Sequence, residues 1–549
     1  MITIVTHFFL FLFLSFFNGK IFLDRFNYNK LKLDFFEISI FGIIITSFIA
    51  QIVNFFLSLN DYIIIFNLFI IIIYFSFKKN RPDFYLRNFD PLNIVFLILV
   101  TLHIYGSGFS DDLNHYHYSY IKNTDHTNYI IGLGHLHHNF ANSSIWLISH
   151  SYFNFDYSSL QDIHVLNALI LFLFISIFFN EIKKNITKKN YNFLPFILFI
   201  LVFVLLKYTR LKEFGIDRPA FLVIYFIIFF YFKNFFCKNS EELIDKKIIF
   251  LTYLSMFVFF IKITYFFIGL IPIYLIVKNR KYKILKSIEF LPIYLIILSF
   301  FIKNILISGC LVYPIPYTCL DMLSWNLKET AEEWYIKGEI LNKAWWKYEG
   351  NLDELNYIKS FNWFKTWFYS VKIELLEFSL TTFLAGVFTI FSFKKTSPKL
   401  KKDEIIQSKD IFKIFFFVFS ISLLLFIFKL PVIRMSHYLF ILITILFLMK
   451  FYSKFLLSPN KLTIILILFL SLTFNGYKNL LRINDGKFKN DLNQIIKPLN
   501  PSDQYKKELG DFTYFVGWYG NYPAGNTVLD NSTFAHKKIF IFDIIYNLK

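Results

Sequence analysis

Apolar runs of membrane-spanning length recur through this chain almost from end to end, from residues 3–17 to residues 461–475. No soluble core has room for that many. In lipid every backbone N–H and C=O must be satisfied within the protein, which leaves helices or a closed barrel. The runs are continuous and not alternating, so they read as helices. Candidate spans lie at 3–17, 36–57, 62–77, 92–105, 163–181, 193–207, 219–233, 248–262, 264–277, 287–305, 374–393, 411–428, 435–451 and 461–475. The expectation is an all-α polytopic membrane protein with about 14 transmembrane helices, in a range of roughly 12–14. The N-terminal segment lacks a positive n-region and an evident cleavage site, so it reads as a first span and not as a signal peptide.

The formal net charge is +19. The basic residues cluster in short connections: KKNRPDFYLR (78–87), EIKKNITKKN (181–190), KNRKYKILK (278–286) and KKTSPKLKK (394–402). Such placement marks the cytoplasmic side and argues against a nucleic-acid partner. With 233–247 and 278–286 both inside, the run 248–277 must cross twice, with Lys262 and Thr264 at its outer turn. The N-terminus, the loops 106–160, 208–218, 306–373 and 429–434, and the tail 476–549 then fall on the non-cytoplasmic face. The chain divides into an N-terminal three-helix membrane extension (1–84), a transmembrane core (85–475) and a non-cytoplasmic tail (476–549), whose GWYGNYPAG (517–525) reads as turns in a small cap. The loop 306–373 holds six of the eight tryptophans, suited to seating it at the headgroup level or to stacking sugars. Of three cysteines, Cys310 and Cys319 share this loop; they pair there or stay as free thiols.

A polar island interrupts the apolar pattern. Nine of the twelve histidines lie between His103 and His164, with Asp111 and Asp112 just past a span. One of these acids could cap the next helix. The alternative is chemistry, because Asp112, Tyr116, His117 and Lys122 fall close together and Asp112 and Tyr116 share a helix face. In GLGHLHHNFANSS (132–144), Gly132 and Gly134 permit close backbone approach. On an extended segment His135 and His137 point the same way, where they could join Asp112 on a metal or contact phosphate. The short loop KYTRLKEFGIDRPAF (207–221) carries Lys207, Arg210, Lys212, Asp217 and Arg218. It is basic on the outer face, which suggests a phosphate partner or a snorkelling cluster. Lys262, Lys303 and Arg434 with His437 stand singly at other outer span ends.

These features resemble the GT-C class of membrane glycosyltransferases: an acid after an early span, a long first outer loop, a shorter acidic-basic second loop and many spans. More closely, DLNHYHYSYIK followed by GLGHLHHNFANSSIW is similar to an uncharacterised bacterial multi-pass membrane protein family. The matching positions are Asp112, Tyr116, His117, Lys122, Gly132, Gly134, His137, Asn142, Ser143 and Ser144, with Asp217–Arg218–Pro219 and the run from Lys303 to Pro314 also alike, over roughly 85–450. The resemblance implies a donor sugar on a polyprenyl phosphate, an acceptor glycan, lipid or protein, contact with membrane lipid, and work at the outer face of a bacterial cytoplasmic membrane. It implies Asp112 as general base, with Asp111 competing for the role and His117 or His137 assisting. Arg210, Asp217, Arg218, Lys262, Lys303 and Arg434 would serve the donor phosphate, and Tyr116, Lys122, Asn142 and Ser143 the substrate loop. No cofactor is implied, and a divalent metal stays open. Competing readings are an O-antigen polymerase or ligase, which would depend on loop 306–373 and Arg434, a transporter or lipid flippase, and an inactive scaffold.

Overall fold

The computed structural model describes residues 2–77, 90–107, 112–142, 144–154, 163–189, 191, 193–211, 215–235, 243–344, 354–359, 361–396, 402–452, 456–485, 505–517 and 521–548. The chain is a helical membrane bundle, as the apolar runs require. Its first half contains α1 (Ile2–Arg25), α2 (Phe35–Val53), α3 (Asp61–Phe77), α4 (Pro91–Tyr105), the short α5 (Tyr118–His126) and α6 (Ile145–Tyr152), α7 (Val165–Thr187), α8 (Leu194–Lys207) and α9 (Asp217–Phe235). Then come α10 (Ile244–Ile261), a 3-10 segment (Ile263–Gly269) running into α11 (Leu270–Lys278), and α12 (Leu291–Ser308). The loop helices α13 (Lys328–Ala344) and α14 (Glu354–Ile358) precede α15 (Phe364–Phe391), α16 (Lys402–Phe428), α17 (His437–Tyr452) and α18 (Lys461–Asn484).

Among the described residues eight helices are long and apolar enough to cross a bilayer: α1, α2, α7, α9, α12, α15, α16 and α18. Five shorter apolar helices accompany them: α3, α4, α8, the Ile263–Lys278 segment and α17. Burial sorts the long helices into layers. The apolar stretch of α7 is 89% buried and those of α15 and α16 only 28%, so α7 is central and the latter two face lipid. The run 248–277 turns at Lys262, whose extended backbone separates α10 from the 3-10 segment, as expected from charge.

Particular residues fix the packing. Asp34 caps α2 in a reciprocal capping box: its Oδ1 accepts from Glu37 N at 2.8 Å and Glu37 Oε2 accepts from Asp34 N at 2.9 Å. Lys233, at the end of α9, reaches Glu37 at 2.6 Å and Glu181 of α7 at 3.3 Å. That buried ion pair ties three helices at the end bearing the basic connections. The α1–α2 crossing depends on small residues: a Cβ on Gly42 would stand 1.6 Å from Ser15 O.

Two expectations change at the C-terminus. The last helix does not stop near residue 475 but continues to Asn484, because Asn475, Asn479 and Arg482 present one polar stripe to the protein. The described part of the tail is β-structure. Strands β4 (Tyr505–Leu509), β5 (Phe512–Val516) and β6 (Ala524–Gly525) form one small sheet, and β7 (Phe534–Ile539) and β8 (Phe542–Asn547) form a hairpin. Counting strands in chain order, β1 (Ile130–Ile131) lies in the loop 106–160 and pairs parallel with β8. The short β2 (Phe393–Thr396) and β3 (Leu456–Pro459) pair with each other. The first three helices pack into the bundle, with α2 against α6 and α7. Cys310 and Cys319 form a disulfide.

Candidate functional site

A cavity of about 800 Å³ lies where the helix ends opposite the basic connections converge. Its wall comes from the residues after α4, the N-terminus of α6, the α8–α9 loop, the α10 turn, the end of α12 and the loop after it, the end of α13, the middle turns of α15, the α16–α17 loop and the end of α18. Among the described residues it holds six bases (Lys207, Arg210, Arg218, Lys262, Arg434 and Arg482) and four acids (Asp112, Asp217, Glu374 and Glu377). His117, His437, Tyr116, Asn142, Asn304 and Tyr313 are among its other polar lining residues.

The charges are not equivalent. Lys262 Nζ donates to Asp217 Oδ1 at 2.8 Å, and Tyr265 Oη donates to the same oxygen at 3.2 Å. Lys207 pairs with Glu377 at 2.8 Å and stands 3.6 Å from the centre of the Phe378 ring. Those pairs neutralise one another. The other bases, Arg210 and Arg434 from two loops, Arg218 in the first turn of α9 and Arg482 near the end of α18, line the same cavity as Asp112. A guanidinium fork suits phosphate oxygens better than an ammonium does.

Asp112 precedes the turn Leu113–His117, yet its carboxylate makes no capping hydrogen bond. The capping reading therefore fails for Asp112, and its carboxylate lines the cavity. Ser144 is the residue that caps: its Oγ accepts from Trp146 N at 3.2 Å and donates to Ile261 O at 2.8 Å. His117 is buried, lines the cavity, and neither ring nitrogen has a hydrogen-bond partner. Burial pushes its pKa down to about 4, with Arg434 and Lys262 acting the same way and Asp112 and Asp217 pulling against them. The imidazole is thus neutral at physiological pH, and can accept a proton or donate one N–H. Burial, with Asp112 and Asp217, raises the Tyr116 hydroxyl, which stays protonated.

Of the residues singled out from sequence, Asp112, His117, Tyr116, Asn142, Arg210, Asp217, Arg218, Lys262 and Arg434 share this cavity. Three do not line it. Lys303 is buried with Nζ 5.4 Å from the centre of the Tyr120 ring, on a different face of α12 from Asn304, which does reach the cavity. Lys122 pairs with Asp125 at 2.8 Å inside the protein. His137 Nδ1 accepts from Asn139 N at 3.1 Å, and its ring stacks on His138. Asp111 and Ser143 lie outside the described residues.

The histidine-rich segment does not assemble a metal site. His135 packs edge-on to Phe534 and His138 stacks on Trp334. Among the described residues no group of three His, Cys, Asp or Glu is arranged to hold an ion. The glycines of this segment serve packing. Gly132 has φ +76°, and a Cβ there would stand 2.2 Å from Ile545 O; one on Gly134 would meet Leu327 at 2.4 Å. The close approach is by the chain's own C-terminal strand and by Leu327 in the loop after α12.

Sequence reasoning missed Glu374, Glu377 and Arg482. The acids sit three apart on one face of α15, a spacing that could have flagged them. Arg482 carries a signal of the same kind, standing seven residues after Asn475 and three after Asn479. This stripe joins two walls of the cavity. Asn475 Nδ2 donates to Leu205 O at 2.6 Å and Tyr208 O at 3.2 Å, at the end of α8. His103 Nε2, on α4, donates to Asn475 Oδ1 at 2.7 Å. Arg482 donates to the carbonyl of Thr209 and, at 3.2 Å, to its hydroxyl. Thus α18 holds both the helix leading to Asp112 and the loop bearing Arg210.

No curated protein and no solved structure matches the chain. A family model described as a domain of unknown function (DUF8201) matches residues 1–441. That stretch takes in the first three helices and every cavity-lining residue up to His437, and stops short of Arg482. With most of its length matched, the chain belongs to the DUF8201 family.

Proposed function

We propose that this protein is a GT-C-like membrane glycosyltransferase that moves a sugar from a polyprenyl-phosphate donor to a hydroxyl of a glycan, lipid or protein acceptor. One observation carries the reading: Asp112, not engaged in capping, shares a chamber of about 800 Å³ with Arg210, Arg218, Arg434 and Arg482 at the end of an apolar bundle. Displacing a lipid phosphate from an anomeric carbon needs an activated nucleophile and a stabilised leaving group. Asp112 accepts the acceptor hydroxyl proton as the new C–O bond forms. The arginines bind the phosphate oxygens, whose charge grows as the old C–O bond breaks. His117, neutral and next to the charged groups, positions the acceptor or relays its proton.

The setting is the non-cytoplasmic face of a bacterial cytoplasmic membrane. The opposite helix ends carry the basic connections, and the Cys310–Cys319 disulfide suits an oxidising compartment. Counting the five shorter apolar helices and α10 with the eight long ones, the chain crosses about fourteen times.

The test uses full-length protein in vesicles with a radiolabelled polyprenyl-phosphate sugar. Arg210→Gln and Arg434→Gln each remove a charged hydrogen bond of about 1.5–3 kcal/mol, so the donor KM rises roughly ten- to hundred-fold. Donor KM values equal to wild type in both variants refute the assignment. A second reading, a polymerase or ligase of lipid-linked glycans, draws on Val312–Pro314 and Asn342 of the outer loop, which line the same cavity as Arg434. Product size separates them: single added sugars fit the first, lost polymer length in mutant cells the second.

A further inference from the structure

The β7–β8 hairpin ends in a tip whose composition opposes its geometry. Ile539 pairs with Phe542, which leaves Phe540 and Ile541 as a two-residue turn. Such turns favour Asn-Gly, since they need positive φ. Here Phe540 takes φ +54°. Phe540 is 92% exposed, and Ile539 and Ile541 flank it with about two-fifths of their surface open. Lys537 and Lys538 follow at the root of the tip, both exposed.

Pairing fixes where this tip points. Tyr129 Oη donates to Lys303 O at 3.0 Å, and Gly132 N donates to Leu306 O at 2.8 Å. The segment 129–132 therefore climbs α12 in the direction in which α12 leaves the membrane. β8 runs parallel to β1, with Asp543 opposite Ile130 and Ile544 opposite Ile131. The residues before Asp543 must then descend toward the bilayer. The turn residues Phe540 and Ile541 stand two steps beyond the Asp543 level, about 6–7 Å deeper at about 3.3 Å per residue. That is the level of the outward apolar residues Leu298 and Ile302 of α12.

We infer that the β7–β8 hairpin is an interfacial anchor, its Ile539–Phe540–Ile541 tip inserted among the acyl chains of the cavity-side leaflet and Lys537 and Lys538 at the headgroups. The occupant is lipid, because the tip continues the lipid-facing surface of α12. Its charge favours anionic headgroups. The anchor acts on the site loop through β1, which precedes Gly132 and His135. None of this depends on the proposed transferase reaction.

The test uses full-length protein in lipid vesicles with Cys237→Ser, so that a nitroxide on Phe540→Cys is the single added label beside the Cys310–Cys319 disulfide. A label on Asn531→Cys, at the far end of the hairpin, is the reference. Power saturation should show oxygen relaxing the label at 540 more than a water-soluble nickel chelate does, with the reverse at 531. Phe540→Trp should add fluorescence that brominated lipid quenches. Two results overturn the anchor: nickel access at 540 equal to that at 531 puts the tip in water, and low access to both reagents puts it against protein or a second copy.

Discussion

Replacing Asn475 by Leu tests the polar stripe that joins the walls of the cavity. The side chain is almost fully buried and bonds four buried groups: the Leu205 and Tyr208 carbonyls, the His103 ring N–H and the Asn479 amide, of which, among the described residues, only the last keeps another bond, to the Asn475 carbonyl. Leu keeps the branched four-atom shape of Asn though it is bulkier, so the chief loss is of hydrogen bonds. A buried group left without a partner costs about 1–3 kcal/mol, so three at the low end give roughly 3 kcal/mol. That is about two decades in the unfolding equilibrium. Unfolding of the protein in mixed micelles by increasing SDS fraction measures it. Thr473→Leu, on the exposed face of the same helix, serves as the reference and should change stability by less than about 0.5 kcal/mol. The double variant His103→Leu, Asn475→Leu should recover about 1 kcal/mol against the sum of the singles, since it removes one stranded donor. If Asn475→Leu is no more destabilising than Thr473→Leu, the stripe does not hold these walls together.

Three further outcomes follow from other sites. Lys233→Met should cost about 3–5 kcal/mol in the same unfolding assay, because it strips the buried Glu37 of its cation and leaves Glu181 only Lys184 at 3.6 Å. Gly132→Ala should release the C-terminal hairpin, since its Cβ would collide with Ile545 O at a φ that Ala rarely adopts; faster protease cleavage between residues 505 and 548 reads this out. His117 has a folded pKa of about 4, below its unfolded value, so its neutral form stabilises the fold above about pH 6.5 and that contribution disappears as pH falls toward 4. His117→Gln should flatten the pH dependence of stability in that window, and an unchanged profile would contradict the buried, neutral imidazole.

Much of this was legible in the sequence because membrane helices announce themselves. Continuous apolar runs located the bundle, and the basic connections placed the turn at Lys262. Residues at span ends on the side opposite the basic connections, such as Arg210, Asp217 and Arg434, were bound to meet because alternating crossings bring those ends together. Helical phase was not legible. Lys303 and Asn304 differ by one residue, or about 100° around the helix, and the cavity takes the second. The histidine cluster misled because density along a chain is not proximity in space: His117 reaches the cavity, while His135 and His138 pack against Phe534 and Trp334. The β-structure of the tail was hidden because β8 finds its partner some four hundred residues away, at Ile130 and Ile131, and no local pattern encodes that pairing.

The most direct test of the catalytic assignment is the turnover of Asp112→Asn with a polyprenyl-phosphate sugar donor in reconstituted vesicles. Asn keeps the size of the side chain and removes its basicity, and the carboxylate makes no cap that the substitution would break. A general base contributes on the order of 10²–10⁴-fold, so kcat should fall by that factor while the donor KM, set by the arginines, stays within about threefold. A kcat within about twofold of wild type would contradict the role assigned to Asp112.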